Sequence, residues 1–335
     1  MKKIRKYIYL LLIFSYVSFT SCEDFALGEK FLQKPPSGDV TIDTIFSTAE
    51  YARRVLWYAY SKLPYGFSTG YNNSTSMRVG SIESLTDLAQ SYVGYAGADK
   101  LYYPGLYNAG SEDESGGEDH ATKYNMYARD PWKGIRHAWV FINNVDRVPD
   151  MTAEEKLRLK AEAKITIAVQ YSEMLRHYGA LPIVDHAIMP EEMGLPERAT
   201  LQQTVDFIIR LLDEAIACKE LPWALPEDDL SNESGRMTGA AAMGLKLRVL
   251  LFVASPLFNS DEPYFPGEAS DKLMTWFGGY SEQRWKDAAK AGEDFFKSWK
   301  QGGFYELVQK ETATKNTIRQ AFQDAYYTRG TTESL

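Results

Sequence analysis

The sequence predicts an all-α fold, and three observations predict it. Segments with apolar residues three and four positions apart recur along the 335 residues. Several open on Ser or Thr followed three places later by Glu or Gln, the reciprocal capping pattern of a helix start. No strand-rich region interrupts them, the one short candidate being Leu181–Val184.

Residues 1–6 (MKKIRK) are basic and residues 7–19 are an apolar run of thirteen. A spanning helix needs ~20 apolar residues, so this run has signal-peptide proportions. It ends at Thr20-Ser21-Cys22, small residues before a cysteine, similar to the lipobox of bacterial lipoproteins, with Phe19 in place of the usual Leu. The expectation is a signal peptide over 1–21 and acylation of Cys22. Several acyl chains at ~0.8 kcal/mol per buried CH₂ make a stable anchor. Residues 22–45 contain Pro35, Pro36 and Gly38 without a helical period and read as an extended, lipidated tether.

The helical body is expected over 46–335. Ser47 with Glu50 marks the first start, and Ala52, Val55, Leu56, Ala59 and Leu63 form its inward face, ended by Pro64 and Gly66. Residues 64–120 are rich in Gly, Ser and Tyr, with a short periodic stretch near Ile82–Ala89. Asp130 before Pro131 reads as an N-cap and first helical residue. The stripe Ile135, Ala138, Trp139, Ile142 and Val145 carries that helix to about Val148. Thr152 with Glu155 opens a helix over Ala153–Tyr178, closed by Gly179. Thr200 with Gln203 opens one to about Lys219, which places Cys218 as a small buried apolar group. Residues 237–254 are apolar almost throughout, Ser281 to Trp299 form a further helix with Trp285 and Trp299 inward, and a last one covers Asn316–Tyr327.

Charge and chemistry narrow the function. The net charge is −8. Without the four basic residues of the first 21, the 33 remaining bases face 45 acids, a balance of −12. Nucleic-acid binding is mostly electrostatic, so an acidic chain is not expected to bind it. Two cysteines and four scattered histidines, without H-E-x-x-H, indicate no disulfide scaffold, metal site or cofactor. Gly239, Gly244 and Lys246 approximate a phosphate loop, but the lysine is one place late and the segment reads as helix. No nucleophile or paired carboxylates stand out, so an enzyme is not expected.

Aromatic rings in non-periodic chain remain. Tyr92, Tyr95, Tyr102, Tyr103 and Tyr107 form one group, and Tyr264, Phe265, Trp276, Phe277 and Tyr280 another, interleaved with Pro and Gly. A sugar ring stacks its apolar face on such rings while Asp, Asn and Arg hold its hydroxyls. The plainer reading is that the rings pin long loops to the helices. Tyr92, Tyr102, Tyr103, Trp276 and Tyr280 are the candidate ligand contacts.

Four stretches resemble the SusD/RagB family of Bacteroidetes outer-membrane lipoproteins. They are SCEDF (21–25), FLQKPPSGDVTIDTIFSTAEYA (31–52), AEAKITIAVQYSEMLRHYGALPIV (161–184) and GRMTGAAAMGLKLRVLLFVASPLFN (235–259). The resemblance implies tetratricopeptide-like helix pairs in an α-solenoid-like body with long irregular loops. It also implies a surface-exposed lipoprotein, held to the outer membrane by its lipid anchor. Such a protein binds an oligosaccharide ligand and delivers it to a TonB-dependent, SusC-like transporter. An alternative within the family is a peptide- or protein-binding scaffold, RagB-like. Arg236 and Lys246 would then serve packing and solvation. Family members are longer, so the resemblance implies that the C-terminal part is lacking, leaving an apolar solenoid face uncovered and the piece 23–335 marginally stable.

Overall fold

The computed structural model describes residues 41–63, 87, 90, 103–106, 130–188, 192, 194, 196–225, 233–328 and 332. Cys22, Tyr92, Tyr102, and the Ile82–Ala89 stretch except for residue 87, lie outside them. The chain divides after Ile45 into two units, Met1–Ile45 and Phe46–Leu335. In the first, Ile42–Ile45 form one helical turn, α1, where the sequence predicts extended tether. The Thr41 hydroxyl accepts the Thr44 N–H at 3.2 Å and starts that turn.

The second unit is all-α among the described residues. Its helices are α2 (Ala49–Tyr60), α3 (Asp130–Asn144), α4 (Ala153–Tyr178), α5 (Leu201–Ile216), α6 (Gly239–Ala254), α7 (Glu268–Asp271), α8 (Glu282–Gly302) and α9 (Lys315–Tyr327). From α2 to α6 each helix packs on the next, and α6 packs on α8. This neighbour-to-neighbour stacking is the tetratricopeptide-like arrangement, in which each pair buries its apolar stripe against the following one.

The caps show how the sequence sets these boundaries. Thr48, not Ser47, caps α2: its hydroxyl accepts the Tyr51 N–H at 3.4 Å. Glu50, shifted by one relative to the cap, pairs with Arg54 instead. At α4 the Thr152 hydroxyl accepts the Glu155 N–H. The Glu155 carboxylate turns away to Arg53 of α2, taking Nε at 2.6 Å and a terminal nitrogen at 2.8 Å. Of the three boxes expected from sequence, Thr200 with Gln203 at α5 is the one completed in both directions. α5 ends at Ile216, so Cys218 lies beyond the helix and is half-buried, its Sγ 3.6 Å from the Leu157 carbonyl.

α4 is the central helix. Leu159, Ala163, Ile167, Tyr171 and Met174 are among the 13 buried residues of its 26. Each fully buried large side chain contributes ~1.5–3 kcal/mol. Tyr171 meets Trp132 and Phe207 edge-on, at centroid distances of 5.9 and 4.9 Å. In α3, Ile135, Ala138 and Trp139 are buried as expected, as is Val145 in the 3-10 turn that follows, and Phe141 replaces Ile142 on the inner face.

Two expectations fail here. Residues Leu181–Val184 form no strand, only an isolated antiparallel bridge, Pro182 to Arg198. Pro182 has no N–H, and side chains serve the neighbours: Tyr171 donates to the Pro182 carbonyl and accepts from Val184 N–H, while Trp139 donates to the Val184 carbonyl. Trp285 is 39% exposed and Trp299 half-buried, because α8 buries the alanines Ala288 and Ala291.

Candidate functional site

The second aromatic group sits on the segment joining α6 to α8, residues 255–281. Ser255 caps α6, with its hydroxyl and its N–H donating to the Phe252 carbonyl. Pro256 prevents continuation. Phe258 then buries against Phe252, edge-on at 5.1 Å.

Asn259 fastens the two ends of the loop together. It is 3% exposed, and its amide nitrogen donates to the Ala254 and Ser281 carbonyls at 3.2 and 3.0 Å. Its Oδ1 accepts the Ser281 N–H at 2.7 Å and an Arg284 N–H at 2.8 Å. A buried amide with all these partners closes the loop as a disulfide would, by geometry alone. Nothing in the spacing of SPLFN marks Asn259, and sequence reasoning missed it.

The middle of the loop is tied to the helical body. Ala180 N–H donates to the Met274 carbonyl and Leu201 N–H to the Leu273 carbonyl, both at 2.8 Å. Leu201 opens α5, so its N–H is one of the orphan donors of a helix start. Leu273 delivers that acceptor at φ +54, a left-handed conformation costly for a leucine.

Trp276 and Phe277 are part of this fastening. The Trp276 indole N–H donates to the Ser270 carbonyl at 3.0 Å. The Arg284 guanidinium lies 4.0 Å over the Phe277 ring and donates to the Gly279 carbonyl. Burial lowers the Arg284 pKa from its ordinary value. Trp276 is half-buried.

The other rings point to solvent. Tyr264 and Phe265 are each 82% exposed and Tyr280 is 54% exposed. The Ser260 hydroxyl bonds the Glu262 carbonyl at 2.6 Å, and Ser270 bonds both the N–H and the carbonyl of Gly267. The tip 261–266 is therefore held at both ends while its rings carry no core duty. Tyr103, in the first aromatic group, is 44% exposed.

Next to this loop lies a cleft of about 770 Å³ between α5 and α8, with α6 behind it. Val205, Ile209, Leu250 and Val253 give it apolar surface. Its ionic groups are largely paired: Lys246 with Asp213 at 2.5 Å and Lys290 with Asp294 at 2.5 Å. Lys246 thus bridges two helices. Arg236 likewise exceeds packing and solvation, since it binds buried Glu162.

Among the described residues no group of three His, Cys, Asp or Glu side chains is placed to hold a metal, and no helix is long and apolar enough to cross a membrane.

No protein-family model matches the sequence, and no curated protein matches it. Solved structures do. BT4246 shares 21% identity over 82% of this chain and 43% of that chain, with a TM-score of 0.58. A SusD-like carbohydrate binding protein from Bacteroides fragilis shares 17% over 79% and 42%, at 0.51. A SusD superfamily protein from Parabacteroides distasonis shares 20% over 77% and 46%, at 0.52. The chain spans less than half the length of each of these proteins. In its helices and their order of packing, the chain has the SusD-like fold.

Proposed function

We propose that this chain belongs to a cell-surface glycan-binding lipoprotein that captures oligosaccharides and delivers them to a TonB-dependent, SusC-like outer-membrane transporter. Cys22 is its lipid attachment point. The observation that carries the reading is the exposed Tyr264–Phe265 pair on a loop otherwise fastened at Asn259, Trp276 and Met274. Rings carried on a backbone fastened at both ends bind a sugar face at a smaller cost in loop ordering. Tyr280, and Tyr92, Tyr102 and Tyr103 of the first group, extend the set of contacts, and Trp276 holds the loop in shape. A solved protein with this fold is described as carbohydrate binding, which supports the reading. The chemistry is binding, not turnover.

The test is a thermal-shift screen of the full chain in detergent against oligosaccharides and oligopeptides. Ligand that binds only the folded state raises the melting temperature. Glycan hits support the proposal. Hits from peptides alone favour the alternative, a RagB-like peptide-binding scaffold. The cleft between α5 and α8 favours that alternative, because apolar surface rimmed by both signs of charge suits a peptide.

A further inference from the structure

We infer that the Tyr264–Phe265 tip selects neutral oligosaccharides and rejects anionic ones; this rests on the glycan-capture reading. Residues 255–281 contain four acids, Asp261, Glu262, Glu268 and Asp271, and a single base, Lys272. Lys272 is already ion-paired with Glu268 at 2.6 Å. Among the described residues, Arg284 reaches the loop but is committed to Asn259, the Gly279 carbonyl and the Phe277 ring, and Arg198, near Thr275 outside the tip, is held by the Tyr178 and Ala180 carbonyls. Asp261, Glu262 and Asp271 are thus left uncompensated by the loop's own bases, and all three are exposed.

Asp261 and Glu262 stand three and two residues before Tyr264. At ~3.8 Å between consecutive Cα atoms, their Cα atoms lie within about 11 Å of that of Tyr264. That is comparable with the screening length of ~8 Å at physiological salt. A uronate or sulfate stacked on the rings would enter a field of its own sign. A neutral sugar meets the same carboxylates as acceptors: its hydroxyls donate to them in charge-assisted hydrogen bonds. The groups that repel an acidic glycan therefore hold a neutral one.

The experiment compares the full chain, in detergent and at low salt, against malto-, cello- and mannohexaose on one side and galacturonate and chondroitin sulfate hexasaccharides on the other. Each carboxylate within about 8 Å is worth roughly two- to threefold against an anion. The expected result is binding of at least one neutral hexasaccharide, with the anionic ones weaker by about tenfold. The pair Asp261→Asn with Glu262→Gln should then improve anionic binding by roughly fivefold while neutral binding falls. Anionic sugars that bind as well as neutral ones overturn this inference alone. So does an unchanged preference in the double variant. Silence from every sugar overturns the glycan reading itself, and the selectivity falls with it.

Discussion

Arg236 and Glu162, 74 residues apart in the chain, close a two-point ion pair inside the helical body. Two Arg236 nitrogens approach the two Glu162 oxygens at 2.5 and 3.1 Å, and Glu162 is fully buried. Arg158 of α4 and the Tyr60 hydroxyl of α2 supply the remaining donors to Glu162, at 3.0 and 2.8 Å. Glu233 bridges the two arginines. The Tyr60 oxygen also accepts the Met237 N–H at 3.0 Å, and Arg236 lies 5.3 Å over the Trp57 ring. Two arginines and two glutamates balance, and every Glu162 lone pair faces a donor. The network joins α2, α4 and the entry to α6.

Breaking a buried pair by removing one partner leaves an uncompensated charge and costs about 3–5 kcal/mol. Glu162→Gln should therefore lower the unfolding free energy by roughly 3 kcal/mol in urea titration. A loss below about 1 kcal/mol would show that the network is replaceable. Glu162→Gln and Arg236→Met together should cost less than the sum of the two changes, because each removes the same interaction.

The same network sets an acid limit. Burial raises the Glu233 pKa, but Arg236 and Arg158 outweigh it, and the group is held below its ordinary value of 4.5. A carboxyl depressed in the folded state takes up its proton first in the unfolded chain. Its stabilisation is complete above the ordinary value and is lost as pH falls through the depressed one. Stability measured by urea midpoint should decline below pH about 4.5, and Glu233→Gln should flatten that decline. An unchanged acid limb would rule out Glu233 as its source.

His186 works in the opposite sense. Its two ring nitrogens lie 2.8 Å from Glu192 and 2.8 Å from Asp185, so both face acceptors, an arrangement that favours the cation. The Glu192 and Asp185 carboxylates raise its pKa above the ordinary 6.5. The contribution is present below that value and lost as pH rises through the raised one. An NMR titration should place His186 above 6.5 in the wild type and return it toward 6.5 in Asp185→Asn with Glu192→Gln. Identical titrations would show that neither carboxylate reaches the ring in solution.

Gly179 closes α4 at φ +72, and a Cβ there would stand 2.8 Å from the Met274 carbonyl oxygen. That carbonyl anchors the aromatic loop through Ala180 N–H. Gly179→Ala meets both a left-handed backbone and a collision, so a loss of more than about 1 kcal/mol is expected in thermal unfolding. A neutral result would mean that the loop is not seated there.

Much of the helical order was legible because local chemistry marks it. Thr152 and Gly179 bound α4, and Thr200 with Gln203 opens α5, at the predicted residues. One start was misplaced by a single residue, since Ser47 and Thr48 are both capping types and only the backbone decides between them. Whether Trp285 faces in or out depends on which helix covers α8, and spacing alone does not carry that. The Glu162–Arg236 pair joins two of the stretches that carry the family resemblance, yet no period links residues 74 apart. In the candidate site the sequence named the aromatic loop but not the division of labour within it. Trp276 and Phe277 fasten the loop, and Tyr264 and Phe265 remain exposed, because their partners Ser270 and Arg284 are tertiary choices.

The proposed role of the Tyr264–Phe265 pair as a sugar-stacking platform is decided by titration calorimetry of the full chain and of its Tyr264→Ala, Phe265→Ala variant against a neutral hexasaccharide. Ring stacking of ~0.5–1.5 kcal/mol per ring, or about 1–3 kcal/mol for the pair, predicts a loss of affinity of roughly five- to 140-fold at an unchanged melting temperature. Equal affinities for the two proteins would contradict the claim and move the binding surface elsewhere on the fold.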